Sequence, residues 1–309
     1  MSNGASEFGL EDHPRPGIYG FSLALDEPDE QLRTRLARAP SAWPELRVRR
    51  TIEGVAPEAE EGPSHVHERP TAGEVQMDES SARVELPNGT ATMRRDAREA
   101  WFRTSTALTT DELVHPLLGY AALAFSHWMG REAFHAGVFL GDGGAWALIG
   151  ERGSGKSSTL AWLAREGHRI VADDLLVLDG RTAFVGPRTI DLASASAAHL
   201  GWGEGLEEVR QGFRQRLTLE ALAPEHQLSG WISLRWGDEV SMAPVPAAGR
   251  IPLLVEHGNQ PMAVVDWPRL LSLASLPMFE LSRPHRLASL EHAGELLLAT
   301  VTAAGGGRA

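Results

Sequence analysis

Apolar and polar positions along this chain follow two periods, one of strands and one of helices. Residues 19–25 and 46–52 read as strands, and over 46–52 apolar and basic residues alternate with a period of two, as on a half-buried strand. Residues 26–39 between them read as a short helix, opened by Asp26-Glu27-Pro28 and closed before Pro40. Residues 53–73 are rich in Glu, Pro and Gly and predict a flexible loop. The polar stretch 1–16 is expected to be loose. Residues 74–95 read as a hairpin turning at Pro87-Asn88-Gly89-Thr90, because Asn-Gly tolerates positive φ. Together these pieces predict a small α+β N-terminal region over 1–108.

Over 109–129 the period becomes helical, with Leu113, Leu117, Ala121, Ala124 and Trp128 on one face. Two starts compete. Thr109 and Glu112 form a capping-box pair, whereas Pro116 suits the first helical position of a helix opening at His115. Short strands follow at 138–140 and 146–149, around the turn Gly141-Asp142-Gly143-Gly144, and the second runs straight into Gly150. Residues 156–166 read as a helix stopped by Gly167. Residues 170–172 read as a strand that delivers Asp173 and Asp174, and 175–178 with 182–185 as a hairpin about Asp179-Gly180. A Ras-like P-loop fold would send a helix back to a parallel strand here. The hairpin therefore predicts a mixed or antiparallel sheet.

Beyond Asp191 the pattern weakens. Residues 206–216 are polar with several arginines, 231–236 and 240–245 read as paired strands, and 268–276 and 285–301 as closing helices. Residues 303–309 read as a disordered tail of small residues. The fold class is α/β, of the α+β kind, with a second domain over 109–302 and no internal repeat.

Composition narrows the classes of function. At 309 residues and 42% hydrophobic content, the chain has the makings of two modest domains or one large one. No apolar run approaches the ~18 to 20 residues that cross a bilayer, and no basic stretch followed by an apolar core marks a secretory signal. The expected location is cytoplasmic. With no cysteine, disulfides, thiolate nucleophiles and cysteine-held metals are excluded. A formal net charge of -12 repels nucleic acid and anionic membranes, so neither is an expected partner.

The candidate chemistry starts at Gly150-Glu151-Arg152-Gly153-Ser154-Gly155-Lys156-Ser157, a full G-x-x-x-x-G-K-S loop between an apolar strand and an amphipathic helix. Its glycines let backbone N–H groups curl around phosphate oxygens at a positive helix end. Lys156 is expected to reach the β- and γ-phosphates and Ser157 to hold Mg²⁺, with Ser158 completing the nucleotide-binding run. Asp173-Asp174 sits where an acidic residue completes the metal shell in P-loop enzymes. One carboxylate can serve the metal and the other an acceptor hydroxyl, provided a bend turns both toward the loop. His135 lies fifteen residues before Gly150 and is read from the residues alone as structural. His65 and His67 lack a third ligand, and the metal reading of them fails. Arg214 and Arg216 read equally as phosphate or acidic-substrate contacts and as a solvated face.

These residues resemble the HPr kinase/phosphorylase superfamily. The resemblance lies in Phe134-His135-Ala136-Gly137-Val138, the loop 150–157, and Gly167-His168-Arg169-Ile170-Val171-Ala172-Asp173-Asp174, about forty contiguous residues with the spacing kept. It implies an HPr-kinase-like catalytic domain related to phosphoenolpyruvate carboxykinases, raises His135 to an active-site residue, pairs Asp173 with His135 at the acceptor hydroxyl, and pairs Asp174 with Ser157 on Mg²⁺. Family members phosphorylate a serine on a small protein and are often oligomers, which makes a homo-oligomer an expectation. The chain departs from the bifunctional enzymes. The stretch Gly186-Pro187-Arg188-Thr189-Ile190-Asp191-Leu192 shows no counterpart of their acidic metal ligand, and Ala248-Gly249-Arg250 is only an echo of their Pro-Gly-Arg segment, with Arg250 as a candidate phosphate contact. The layout looks more like the lasso peptide kinases, whose substrate is a serine hydroxyl at a precursor peptide's C-terminus.

The leading expectation is an ATP- and Mg²⁺-dependent kinase acting on a serine of a peptide or small protein. A small-metabolite kinase of the same fold and a non-catalytic ATP-binding regulator are the alternatives.

Overall fold

The computed structural model describes residues 15–53, 75–202, 206–209, 214–258 and 266–306. The predicted loop at 53–73, apart from Glu53, lies outside them, as do His65 and His67.

The molecule is mixed α/β, built on two large sheets and one small one. The first has eight strands between Pro16 and Thr104. At its centre Glu45–Ile52 is parallel to both Phe21–Leu25 and Glu99–Thr104. Alternation along Glu45–Ile52 buries Leu46 and Val48 and leaves Arg47 and Arg49 in solvent. The expected hairpin is Ser81–Leu86 with Gly89–Arg94, and Leu86 faces Gly89 across a Pro87-Asn88 turn. The strand Glu99–Thr104 was not expected, although it buries Ala100, Phe102 and Thr104 in alternation. The helix expected at 26–39 is only Glu30–Arg35. The Asp29 side chain accepts from the Leu32 N–H at its start. The chain then becomes extended at Leu36, and Ala37–Arg38 joins the edge of the first sheet.

The second sheet is mixed, as the hairpin predicted. Gly144–Ile149 is antiparallel to Gly137–Gly141 and parallel to Glu225–Trp236. Gly137–Gly141 is in turn antiparallel to Ile170–Ala172. The expected pairing of 231–236 with 240–245 does not occur. The strand Met278–Arg283 lies between them, parallel to Glu225–Trp236 and antiparallel to Ser241–Pro244. The Gly237 N–H bonds to the Arg283 carbonyl, so the connection passes over the inserted strand's end instead of closing a hairpin.

Both faces of this sheet are covered, so its strands read as unbroken apolar runs. Val138, Ile149, Trp231 and Met278 pack on one side with Leu254 of Ala247–His257 and Leu270 of Trp267–Ala274. Phe139, Leu148, Ile232 and Leu281 pack on the other with Leu160 of Lys156–Arg165 and Leu297 of Leu290–Gly306. A third cluster joins the first sheet to the second through Leu118–Trp128, with Phe21, Phe102 and Phe125 against Ala133, Val177 and Phe184.

The two competing starts near 109 are both used. The capping box between Thr109 and Glu112 is formed. The chain then leaves helical geometry at His115 (φ -150°, ψ 122°), immediately before Pro116, and the straight helix begins at Leu118. This follows from proline's exclusion of α geometry at the preceding residue. At the C-terminal end, Leu290–Gly306 continues through residues 303–306, which the sequence had placed in a disordered tail. Alanine favours helix there, and Gly305 packs against the Asp142 carbonyl, too close for a Cβ.

Candidate active site

Four strands of the second sheet end at one edge. Ile170–Ala172, Gly144–Ile149, Glu225–Trp236 and Met278–Arg283 run in the same direction. Their C-terminal ends deliver Asp173-Asp174, the loop 150–157, Trp236 and Arg283 respectively. Open α/β sheets gather ligands at this edge. Here it opens into a cleft of about 1160 Å³, lined among others by Arg152, Lys156, Ser157, Asp173, Asp174 and Arg214.

The loop has the geometry its glycines permit. Gly150, Gly153 and Gly155 have φ of 151°, 85° and 93°, values that side chains with a Cβ rarely adopt. Gly155 then hands over directly to the helix Lys156–Arg165, whose first N–H groups face the cleft. Lys156 is buried, and its Nζ donates to the carbonyls of Gly150 (2.7 Å) and Glu151 (3.1 Å). Burial lowers its pKa, while the charges of Asp174 and Asp173 oppose the shift. The ammonium is thus held inside the loop by carbonyls it can release to a phosphate. The Ser158 hydroxyl donates to Ser196 Oγ at 2.9 Å, and both serines line the cleft.

The aspartates are split as expected, but with the partners exchanged. The Ser157 hydroxyl donates to Asp173 Oδ1 at 3.0 Å. Asp174 instead faces His135, whose Nδ1 lies 3.1 Å from its Oδ1 and 3.0 Å from its backbone carbonyl oxygen. Both neighbours of that nitrogen are acceptors, so Nδ1 carries a proton in these contacts. The physical cause of the exchange is the backbone at Asp174, which is left-handed (φ 74°). The chain turns there instead of extending the strand, so the side chain swings away from the loop toward His135. A short polar side chain such as Asp tolerates this region.

His115 was missed by the sequence reading. Its non-helical backbone turns the imidazole into the cleft, with Nε2 3.6 Å from Asp174 Oδ2. The His-Pro pair inside an otherwise helical pattern was the available signal. Tyr19 was also missed. It is buried with φ 52°, and its N–H bonds to the Val185 carbonyl. Burial, then the charges of Asp174 and Asp173, raise its phenol well above the ordinary value.

Asp173 is a strongly perturbed carboxyl. Burial first, and the neighbouring Asp174 charge second, push its pKa up to about 7, against the hydrogen bond from Ser157. Asp191 and Lys156 act more weakly and in opposite directions. Buried carboxylates beside a second negative charge take up protons unless a cation compensates. The Ser157 and Asp173 oxygens are a hard donor pair beside the N-terminal end of the helix Lys156–Arg165. That suits Mg²⁺, which takes one or two protein oxygens and fills its shell with phosphates and water. Among the described residues no group of three or more His, Cys, Asp or Glu side chains could by itself hold a metal ion.

The predicted arginines part company. Arg214 lines the cleft. Arg250 does not, because its Nε donates to the Val245 carbonyl and its Nη1 to those of Ala274 and Leu276. It ties the helix Ala247–His257 to Val245 and to the end of the helix Trp267–Ala274, and it does not reach the cleft where a phosphate contact was expected. Arg216 reaches the cleft wall but is buried, holding Asp191 through Nε (2.7 Å) and Nη2 (2.9 Å) and Asp111 through Nη1. Asp191, for which no counterpart role was found in the sequence, lines the cleft with both oxygens accepting from Arg216.

In comparisons with known proteins, no family model and no curated protein matches the chain. Among solved structures, the Hpr(Ser) kinase/phosphatase from Coxiella burnetii is similar at 14% identity with a TM-score of 0.28, over 54% of this chain and 95% of that one. The reading of the site rests on the geometry above.

Proposed function

We propose that this protein is an ATP-dependent phosphotransferase, and more specifically a kinase that moves the γ-phosphoryl group onto a serine hydroxyl of a peptide or small protein. One observation carries the reading. Ser157–Asp173 and Asp174–His135 face the same cleft on the two sides of a left-handed turn, beside the Lys156 loop. Pure nucleotide binding has no use for the second pair.

The loop amides and the Lys156 ammonium neutralise the phosphates. Mg²⁺, held by Ser157 and Asp173, would supply further charge neutralisation at the β- and γ-phosphates. Asp174, oriented by His135 and His115, accepts the proton of the acceptor hydroxyl as its oxygen bonds to phosphorus and the bond to ADP breaks. The cleft volume lies above the roughly 300 to 1,000 Å³ of small-molecule pockets. It leaves room for an extended segment beside a nucleotide, which supports a peptide over a metabolite. A ribosomal precursor peptide of the lasso type is the specific acceptor we favour, with Arg214 on the wall placed to meet an acidic group such as a terminal carboxylate.

The test is incubation with labelled ATP and serine-bearing precursor peptides, read by mass spectrometry. A gain of one phosphate on a serine supports the proposal. ATP binding without transfer to any peptide or metabolite leaves a regulator, and transfer to a metabolite alone overturns the peptide reading.

A further inference from the structure

Four arginines of the described chain are buried, at relative exposures of 7% or less: Arg131, Arg188, Arg216 and Arg283. A buried guanidinium costs several kcal/mol unless its donors and charge are answered, so how each is answered is informative. Arg188 commits all three nitrogens to the carbonyls of Glu220, Val171 and Ile170. Arg216 commits all three to Asp191 and Asp111. Arg131 lies between the rings of Phe21 and Phe184, with the Gly20 carbonyl and the Asp179 carboxylate in reach.

Arg283 differs. Among the described residues only its Nη1 has hydrogen-bond partners, the Arg286 carbonyl and the Ser289 hydroxyl, both at the long distance of 3.4 Å. No carboxylate pairs with it among the described residues. Its guanidinium carbon lies 4.4 Å from the centroid of the Trp236 ring. A cation–π contact of this kind is weaker than the cost of burying the charge. Trp236 is backed in turn by His285, with ring centroids 4.3 Å apart. The remaining edge of the guanidinium is directed at the nucleotide loop. A Cβ at Gly155 would collide with Arg283 Nη2, and Trp236 stands 3.3 Å from the same point. Arg283, Trp236 and Gly155 all line the cleft.

We propose that Arg283 is a phosphate-binding residue, carried in cis on the strand Met278–Arg283, whose Nη2 edge contacts the triphosphate from the side of the loop opposite Asp173 and Asp174. Trp236 is its positioning residue. It presses on one face of the guanidinium and fixes the plane in which the fork is presented. This inference rests on the nucleotide-binding part of the proposed function and is independent of the acceptor. Planar guanidinium forks suit phosphate oxygens, and an always-charged side chain suits a site that must hold anions. It also gives a second reason for glycine at 155, where the guanidinium needs the space a side chain would fill.

Binding of Mg-ATP and of inorganic tripolyphosphate is measured by calorimetry on the full chain, without any acceptor. In Arg283→Gln both affinities fall roughly 10- to 100-fold, the loss of one charge-assisted contact. Arg283→Lys, which keeps the charge and the stem and therefore the fold, weakens both roughly 3- to 10-fold because the fork is lost. Trp236→Ala weakens both while leaving the charge in place, and Trp236→Phe restores binding. Unchanged affinities in folded Arg283→Lys and Arg283→Gln overturn the proposal and leave the kinase reading standing. Loss of ATP affinity with tripolyphosphate affinity unchanged also overturns it, because Arg283 would then serve the nucleoside. A wild-type protein that binds neither ligand overturns both readings.

Discussion

Asp173→Asn should make the resting protein more stable while disabling it. The carboxyl is pushed up to about 7 from an ordinary 3.8, chiefly by burial and then by the Asp174 charge. The folded-state pKa is raised above the unfolded one, so the fold favours the protonated acid. That advantage is intact below the unfolded value and is lost as pH rises from about 4 through about 7. At 1.36 kcal/mol per unit, the full loss is about 4 kcal/mol, most of it incurred by pH 8. Asn resembles the protonated acid in shape and has no charge to bury. Relative to wild type, the variant should therefore gain about 2 to 3 kcal/mol between pH 5 and pH 8, from the same shift integrated over that interval. Urea unfolding of both proteins at closely spaced pH, without nucleotide or Mg²⁺, measures the difference and cancels groups that titrate alike in both. With Mg-ATP the order should reverse, because only wild type retains the charged carboxylate proposed to hold Mg²⁺. A stability difference that stays flat between pH 5 and pH 8 would refute the argument that burial and Asp174 together strain this carboxylate.

The exchange of partners between the two aspartates gives a second expectation. Asp174→Asn should lower phosphoryl transfer by roughly 10²- to 10⁴-fold, the range for loss of a general base, with Mg-ATP affinity changed little. Asp173→Asn should lose the Mg²⁺-dependent part of that affinity. The opposite pattern in calorimetry and transfer assays would restore the assignment inferred from family resemblance. Gly155→Ala should abolish nucleotide binding through its φ of 93° and the collision with Arg283, while circular dichroism shows the fold retained. Arg250→Ala should lower the unfolding midpoint, because the carbonyls of Val245, Ala274 and Leu276 lose their donor, and should leave the KM for ATP within about twofold, since Arg250 is absent from the cleft wall.

Short-range chemistry made much of the centre legible. The strand, glycine loop and helix over 144–165 follow from an apolar run, three residues that need positive φ, and an amphipathic repeat. The mixed sheet followed from a tight hairpin, its two-residue turn at Gly180-Arg181, which cannot make a parallel crossover. Residues 303–306 were misread because small residues look tail-like until a surface, here the turn at Asp142, packs against them.

What the sequence determined by itself was the inventory: a glycine-rich loop, two adjacent carboxylates after the next strand, and a histidine upstream, each set by neighbours a few residues away. What only the tertiary structure decided was who faces whom. A left-handed φ at Asp174 exchanges the partners of the two acids, because adjacent strand residues point oppositely and a single turn resets which one meets the loop. The insertion of Met278–Arg283 beside Glu225–Trp236 brings Arg283 to the loop from more than a hundred residues away. Arg250 and Arg283 are alike as letters. They differ in whether folding leaves the guanidinium among carbonyls or on the wall of the cleft.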